Sequence, residues 1–351
     1  MVATTPKASN NDPAVGETAK FMADDDMPPL PLTRKNLALL DALHGNPDSD
    51  IHTDNSAYLF GSGSDKMKKG RMEKRLFTTA SGFQQQTYEN GILDRTASHP
   101  PRHDNLSAVQ EHLAQRRGST QPSERAHRHY CRGIAKASNE AGVASLVASK
   151  LLKEYWDVQY GRRDSRVITR IPQQDFNRGV ADPVPDILEG IWTDTLPRSL
   201  QSHSLHSDAD NSLTFSHFAT EFKRTDGSFE QAESYAAYDG AVLVNARDRA
   251  LAQSRANTRD GTAAAAAIDR ADEETAVLTC VTDGKVAEVF AHHLLDGQYH
   301  QNLVASASLL AYPNTGRELI RNAQDYARKK TYELAVLLAA GLKGEEEEKR
   351  D

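Results

Sequence analysis

Near residue 137 the character of the chain changes, and that change limits what it can fold into. From residue 138 onward, segments whose apolar residues recur every three or four positions take turns with short apolar or alternating runs, in the order helix, strand, strand, strand, helix, strand, strand, helix. A chain that switches between these two periods predicts a mixed α/β domain of about 200 residues, with a sheet between helices. The first helix is expected over 138–158, where Glu140, Val143, Ala144, Val147, Leu151 and Glu154 fall at helical spacings. Strands are expected at 165–171, 186–192 and 213–223, with a polar insertion at 202–211 between the last two. A long helix follows from Phe229 to about Ala252, weakened by Gly240, and the alanine run 263–267 reads as linker. Residues 275–282 and 286–293 predict a hairpin across Asp283-Gly284, a dipeptide suited to a two-residue type I′ turn. A strand at 303–310 and a helix at 316–342 complete the pattern, and no internal repeat is visible.

The chain before residue 137 reads differently. Residues 1–30 are polar and acidic, ending beside Pro28-Pro29-Leu30-Pro31, and are expected to be disordered. Residues 31–136 read as a loop-rich region with short helices, for example at 34–44 and 106–116. The domain proper is expected at 137–342, and 343–351 is an acidic, frayed tail carrying Glu345 to Glu348.

No run approaches the roughly 18 to 20 consecutive apolar residues of a membrane span, and the first thirty residues lack the apolar core of a signal peptide. An intracellular protein, nuclear or cytoplasmic, is expected. Its two cysteines, Cys131 and Cys280, cannot build a disulfide framework and suit a reducing compartment. The net charge of -7 argues against coating nucleic acid by charge alone, but not against an enzyme with one basic groove.

The chemistry concentrates in three places. Asp186, after Pro185, opens a strand; Glu221-Phe222-Lys223 closes the next strong strand; Gln231 and Tyr235 lie one turn apart on the helix that follows. Residues i and i+2 of a strand share a face, so Glu221 and Lys223 project together while Phe222 points away. Asp186 on the neighbouring strand can meet Glu221 across the pair. Two converging carboxylates form a hard-oxygen site suited to Mg²⁺ (or Mn²⁺). Such a cation polarises a phosphate and lowers the pKa of a water, and the lysine can orient that water and oppose charge building on the phosphate.

Asp186, Glu221 and Lys223 resemble the PD-(D/E)XK motif of the restriction-endonuclease-like superfamily, and Gln231 with Tyr235 resembles the Q-x-x-x-Y helix signature of its RecB-like branch. The segments Phe218 to Arg224, Phe229 to Ala232, Ala241 to Val244 and Arg321 to Ala327 are similar to an uncharacterised fungal family of that superfamily. The resemblance covers residues 137 to 340. It implies an αβββαβ core, a divalent metal and hydrolysis of phosphodiester bonds in nucleic acid, DNA ahead of RNA. In that superfamily an acidic residue of the first helix often completes the metal site; Glu140 is the better candidate here, Glu154 the lesser. Glu140 near a helix start also has a plain reading, complementing the helix dipole.

Other features carry less. His127, His129 and Cys131 alternate as on a strand, but zinc would need a fourth ligand and paired spacings that are not visible. His292 and His293 read as surface or capping residues at a strand end. Lys66 to Arg71, with Lys74 and Arg75, reads as a solvated basic segment, an import signal or a nucleic-acid patch. Arg162, Arg163, Arg166 and Arg170 flank the first strand, where they suit a phosphate backbone or plain solvation. The insertion brings His203, His206, Asp208 and Asp210 between the two acidic strands. Two rivals to a nuclease stand beside it: a non-catalytic domain that keeps the fold to bind nucleic acid or protein, and a structural domain in which Glu221 and Lys223 are an ordinary ion pair.

Overall fold

The computed structural model describes residues 81–348, apart from 95–102, 104, 119–121, 166, 170, 172–173, 206–211, 225–226, 259–262, 273 and 312. The expectations for 1–30, the helix at 34–44, the basic cluster at 66–75, and Arg166, Arg170, His206, Asp208 and Asp210 lie outside the described residues.

In chain order the helices are α1 (Phe83–Glu89), α2 (Leu106–Leu113), α3 (Glu124–Lys136), α4 (Glu140–Lys150), α5 (Arg198–Gln201), α6 (Phe229–Asn257), α7 (Ala263–Asp272) and α8 (Pro313–Glu348). The strands are β1 (Ile92–Leu93), β2 (Tyr160–Asp164), β3 (Ile187–Trp192), β4 (Leu213–Phe222), β5 (Val277–Thr282), β6 (Val286–Leu295) and β7 (Gln298–Ser308). The strands form one seven-stranded mixed sheet in the order β1-β7-β6-β5-β4-β3-β2. β2, β3 and β4 form an antiparallel meander, α6 carries the chain over to β5, which pairs parallel to β4, and β5, β6 and β7 are again antiparallel. Apart from the short α5 between β3 and β4 and α7 before β5, the order from α4 to β5 is helix, three antiparallel strands, helix, parallel strand.

Both faces of the sheet are covered, which is why β4 is buried along its whole length. Phe218 and Phe222 point to one face, packing in a core with Val143 and Val147 of α4, Tyr130 and Ile134 of α3, and Ile320, Ala323 and Ala327 of α8. Ala219 points to the other, into a core with Leu188 and with Tyr235, Tyr238 and Ala241 of α6. The period-two alternation of β4 therefore splits the molecule into two apolar layers.

Several expectations need correcting. α4 stops at Lys150, short of residue 158, so Glu154 is not on it; Asn139 caps its start, accepting the Gly142 N–H at 2.8 Å. The strand expected at 165–171 is β2, Tyr160–Asp164, which ends earlier: Ser165 leaves the extended region at φ 45°, and its N–H bonds the Asp186 carbonyl. The alanine run opens α7, because alanine is the strongest helix former and Ile268 gives this helix a buried anchor. His127, His129 and Cys131 lie on α3, where the i,i+4 spacing brings Cys131 Sγ within 3.4 Å of His127 Nε2. His292 and His293 are buried within β6, His292 Nε2 meeting Thr279 Oγ1 at 2.8 Å. α8 runs on as helix to Glu348, into the segment expected to fray.

Turn chemistry also differs. Three residues, Asp283 to Lys285, join β5 to β6; only Gly284 adopts positive φ, while the Asp283 carboxylate accepts the N–H groups of Lys285 and Val286. The two-residue turn with both φ positive is Asp296-Gly297, between Leu295 and Gln298 of β6 and β7. Gly240, read as a weakness in α6, is a close-approach position: a Cβ there would lie 2.1 Å from the His292 ring. Among the described residues no helix is long and apolar enough to cross a membrane.

Candidate functional site

Asp186 stands one residue before β3. Ile187 pairs with Thr220 and Leu188 with Ala219, so the antiparallel register sets Asp186 across from Glu221. The link is tightened by Asp186 Oδ2, which accepts the backbone N–H of Phe222 at 2.7 Å. Glu221 shares the face of Ala219, the α6 side, and is fully buried. Its strand neighbour on the other side is Val281, which packs with Ala232, Ala236 and Phe290 as an apolar floor.

Lys223 follows the end of β4, held by its own N–H to the Thr282 carbonyl at 2.9 Å. Its Nζ lies 3.3 Å from Glu140 Oε2 and 5.0 Å above the centre of the Tyr235 ring. Glu140, in the first turn of α4, thus enters the site through Lys223. Its charge also reaches Asp186 and Tyr235. Glu154 does not enter: it is exposed beyond the end of α4.

α6 supplies the other wall. Ser228 caps it, accepting the Gln231 N–H at 3.2 Å. Gln231 is exposed at the rim and hydrogen-bonds Tyr235 one turn on. Tyr235 is buried and edge-on to Phe83 of α1, ring centres 5.6 Å apart. One further turn along the same face stands Asp239, 2 % exposed, whose carboxyl hydrogen-bonds Glu221. Sequence reading missed Asp239. The signal was available, since 231, 235 and 239 are consecutive i,i+4 positions.

The electrostatics follow from crowding acids in a dry place. Burial, then the charges of Asp239 and Asp186, hold Glu221 well above the carboxylate range, against the pull of Lys223. Burial pushes Asp239 up to about 7, opposed by its hydrogen bond to Glu221. Asp186 is raised by burial and by Glu140, and lowered by the Phe222 N–H and Lys223. A Glu221–Asp239 pair that shares one proton, and so carries one negative charge instead of two, is the expected metal-free state near neutral pH. The phenol of Tyr235 is raised by burial and then by Glu221 and Glu140, so it stays a donor.

Among the described residues no three His, Cys, Asp or Glu side chains are already converged as a metal cage. The donor chemistry nonetheless fits a hard dication: the donors are carboxylate oxygens from facing strands, and Asp239 Oδ2 is buried with no hydrogen-bond partner.

Another buried acid lies elsewhere. Glu189 of β3 faces the α8 side, where Gln324 Nε2 donates to its Oε1 at 2.6 Å, and burial pushes it up to about 7. Arg162 of β2 pairs across from it, and Arg163 stacks on Trp192. His203 stacks on Phe215, away from the carboxylates. No family model, curated protein or solved structure matches this chain.

Proposed function

We propose that this chain is a metal-dependent nuclease whose site is of the PD-(D/E)XK kind, with Asp186, Glu221 and Lys223 as its working residues. The observation that carries the reading is the register of β3 and β4: it sets Asp186 across from Glu221 at the end of a strand pair, with Lys223 emerging beside them. The element order from α4 to β5 supports it, being the helix, three strands, helix, strand sequence that such a core requires.

Asp186 and Glu221 would hold Mg²⁺ or Mn²⁺, with Glu140 at the edge. When bound, the ion supplies polarisation of the phosphodiester and a more acidic water. The chain's own residues do the rest. Lys223, kept in one orientation by the Tyr235 ring beneath it, presents a positive charge where negative charge builds on phosphate oxygens. Glu140 holds that ammonium at 3.3 Å until a phosphate competes for it. Tyr235 limits water at the carboxylates, and exposed Gln231 offers an amide to the nucleic-acid backbone at the rim. The substrate is nucleic acid, DNA ahead of RNA.

Incubation of the full chain with linear, circular and single-stranded DNA and with RNA, in Mg²⁺, Mn²⁺ or chelator, tests this. Metal-dependent cleavage that disappears in Lys223→Ala is expected; equal cleavage by the variant, or none by the wild type on any substrate, overturns it. A second reading is a non-catalytic nucleic-acid- or protein-binding domain on the same fold. The Glu221–Asp239 hydrogen bond favours that reading, since two acids that share a proton offset part of their own repulsion without a cation. Binding without cleavage in the same assay would select it.

A further inference from the structure

Asp239 plays no part in the motif that pointed to the site, yet its position is hard to explain as packing. It lies in α6, flanked by Tyr238 and Gly240, on a stretch buried on every side, where an aliphatic residue would be the inexpensive choice. Burying an acid there costs free energy unless its oxygens find partners, and only part of that demand is met. One contact goes to Glu221, while Oδ2 is sealed from solvent with no hydrogen-bond partner. A buried polar atom left without a partner calls for an explanation, and an ion is one of those available. An acid that keeps one oxygen unpartnered, contacts Glu221 and feels the charge of Asp186 has the chemistry of a cation ligand.

The supports of Asp239 are rigid. Gly240 lets the helix lie against the His292 ring, with no room for a Cβ, and His292 is tied to Thr279 of β5 at 2.8 Å. Ala236 and Val281 close the apolar floor below. Asp239 is thus delivered by a helix that cannot shift easily, to a point set by β4 and β5.

We propose that Asp239 is an oxygen donor to the cation held by Asp186 and Glu221, so that the pocket is built from three carboxylates, one just before β3, one on β4 and one on α6. This rests on the reading of Asp186 and Glu221 as a cation site. Three carboxylates with only Lys223 beside them match a small, hard dication better than two do. The helix contribution then comes from α6, behind the site, with Glu140 of α4 left to hold Lys223.

The test is Mn²⁺ binding to the full chain, measured by calorimetry in wild type, Asp239→Asn and Glu221→Gln. Asparagine keeps the size and can still hydrogen-bond Glu221, so it removes charge with little change in packing. A loss of tenfold or more in Mn²⁺ affinity in both variants is expected. Wild-type affinity within twofold in Asp239→Asn, alongside a loss in Glu221→Gln, overturns the role of Asp239 and leaves the two-acid site standing. No Mn²⁺ binding by the wild type at millimolar concentration overturns both. If Asp239→Asn fails to fold, carboxyl carbon resonances of the wild type decide. Mn²⁺ should broaden Asp239 together with Asp186, and broadening of Asp186 with Asp239 left sharp overturns the proposal.

Discussion

Asp186 and Phe222 are joined by a hydrogen bond in which the acid of one strand accepts the backbone N–H of the next at 2.7 Å. One oxygen of Asp186 is therefore spent on architecture, leaving the other for chemistry. The two roles separate by substitution. Asp186→Asn keeps an acceptor for the Phe222 N–H and should change stability by less than about 1 kcal/mol while abolishing metal-dependent cleavage. Asp186→Ala leaves that N–H unpaired and should cost about 1–3 kcal/mol more. Urea denaturation of the two variants gives the comparison, and equal stabilities would show that the bond contributes nothing.

Lys223 and Glu140 make an ion pair whose acid is half-exposed, 43 % for its side chain. Such pairs contribute at most about 1 kcal/mol. Glu140→Gln should leave the melting temperature almost unchanged. Lys223→Met should likewise melt near the wild type, yet lose at least about 10²-fold in cleavage rate, since its charge acts on the transition state. A Lys223→Met protein that cleaves normally would return the pair to a purely structural role.

Stability should depend on pH in a direction set by the raised acids. Glu221 and Asp239 sit above their ordinary values because of burial, Asp239 at about 7. The folded state thus keeps protons that the unfolded chain, with carboxylates near 4, has already lost. The stabilisation is complete below about pH 4 and is lost as pH rises through 7. The buried neutral His217, His292 and His293 contribute in the opposite direction, so the acids are read by difference: in chelator, the wild type should lose melting temperature relative to Glu221→Gln between pH 5 and pH 8, at about 2–4 °C per kcal/mol for a domain of this size. Mg²⁺ should add more stability to the wild type at pH 8 than at pH 5. Scanning calorimetry at the two pH values decides; a wild type that loses nothing relative to Glu221→Gln toward pH 8 in chelator contradicts the scheme.

Gly240→Ala should destabilise the protein by about 1–3 kcal/mol or more, because the added methyl would lie 2.1 Å from the His292 ring. The usual preference of helices for alanine over glycine runs the other way, by about 1 kcal/mol. Thermal denaturation therefore reads the sign directly, and a stabilised Gly240→Ala would mean that β6 can retreat from α6.

Much of this was legible before any coordinates, and the exceptions have physical causes. β3, β4 and α6 stand where the periodicities place them, since each buries a long apolar stripe. β2 was misplaced because Tyr160 to Asp164 carries Gly and charged residues and owes its strand to pairing with β3, not to its own pattern. The end of α4 was missed because the apolar spacing runs on past Lys150 into Leu151 and Leu152, which are buried without being helical. His292 and His293 looked like surface residues because burial of histidine is decided by tertiary partners such as Thr279. Asp239 was overlooked because an acid in the middle of a helix suggests solvent, and only the neighbouring strands make it interior.

The register of β3 against β4 has a consequence for how this chain can vary. Asp186 meets Glu221 because the two strands are paired, whatever lies between Trp192 and Leu213. Closing a longer loop costs little entropy: doubling its length adds only about 0.6 kcal/mol. The intervening segment leaves the sheet at the Trp192–Leu213 end of the pair, the end opposite Asp186 and Glu221, so side chains there can change over generations while the register that brings the two acids together stays the same. The molecule holds its chemistry at one end of a strand pair and its tolerance for change at the other.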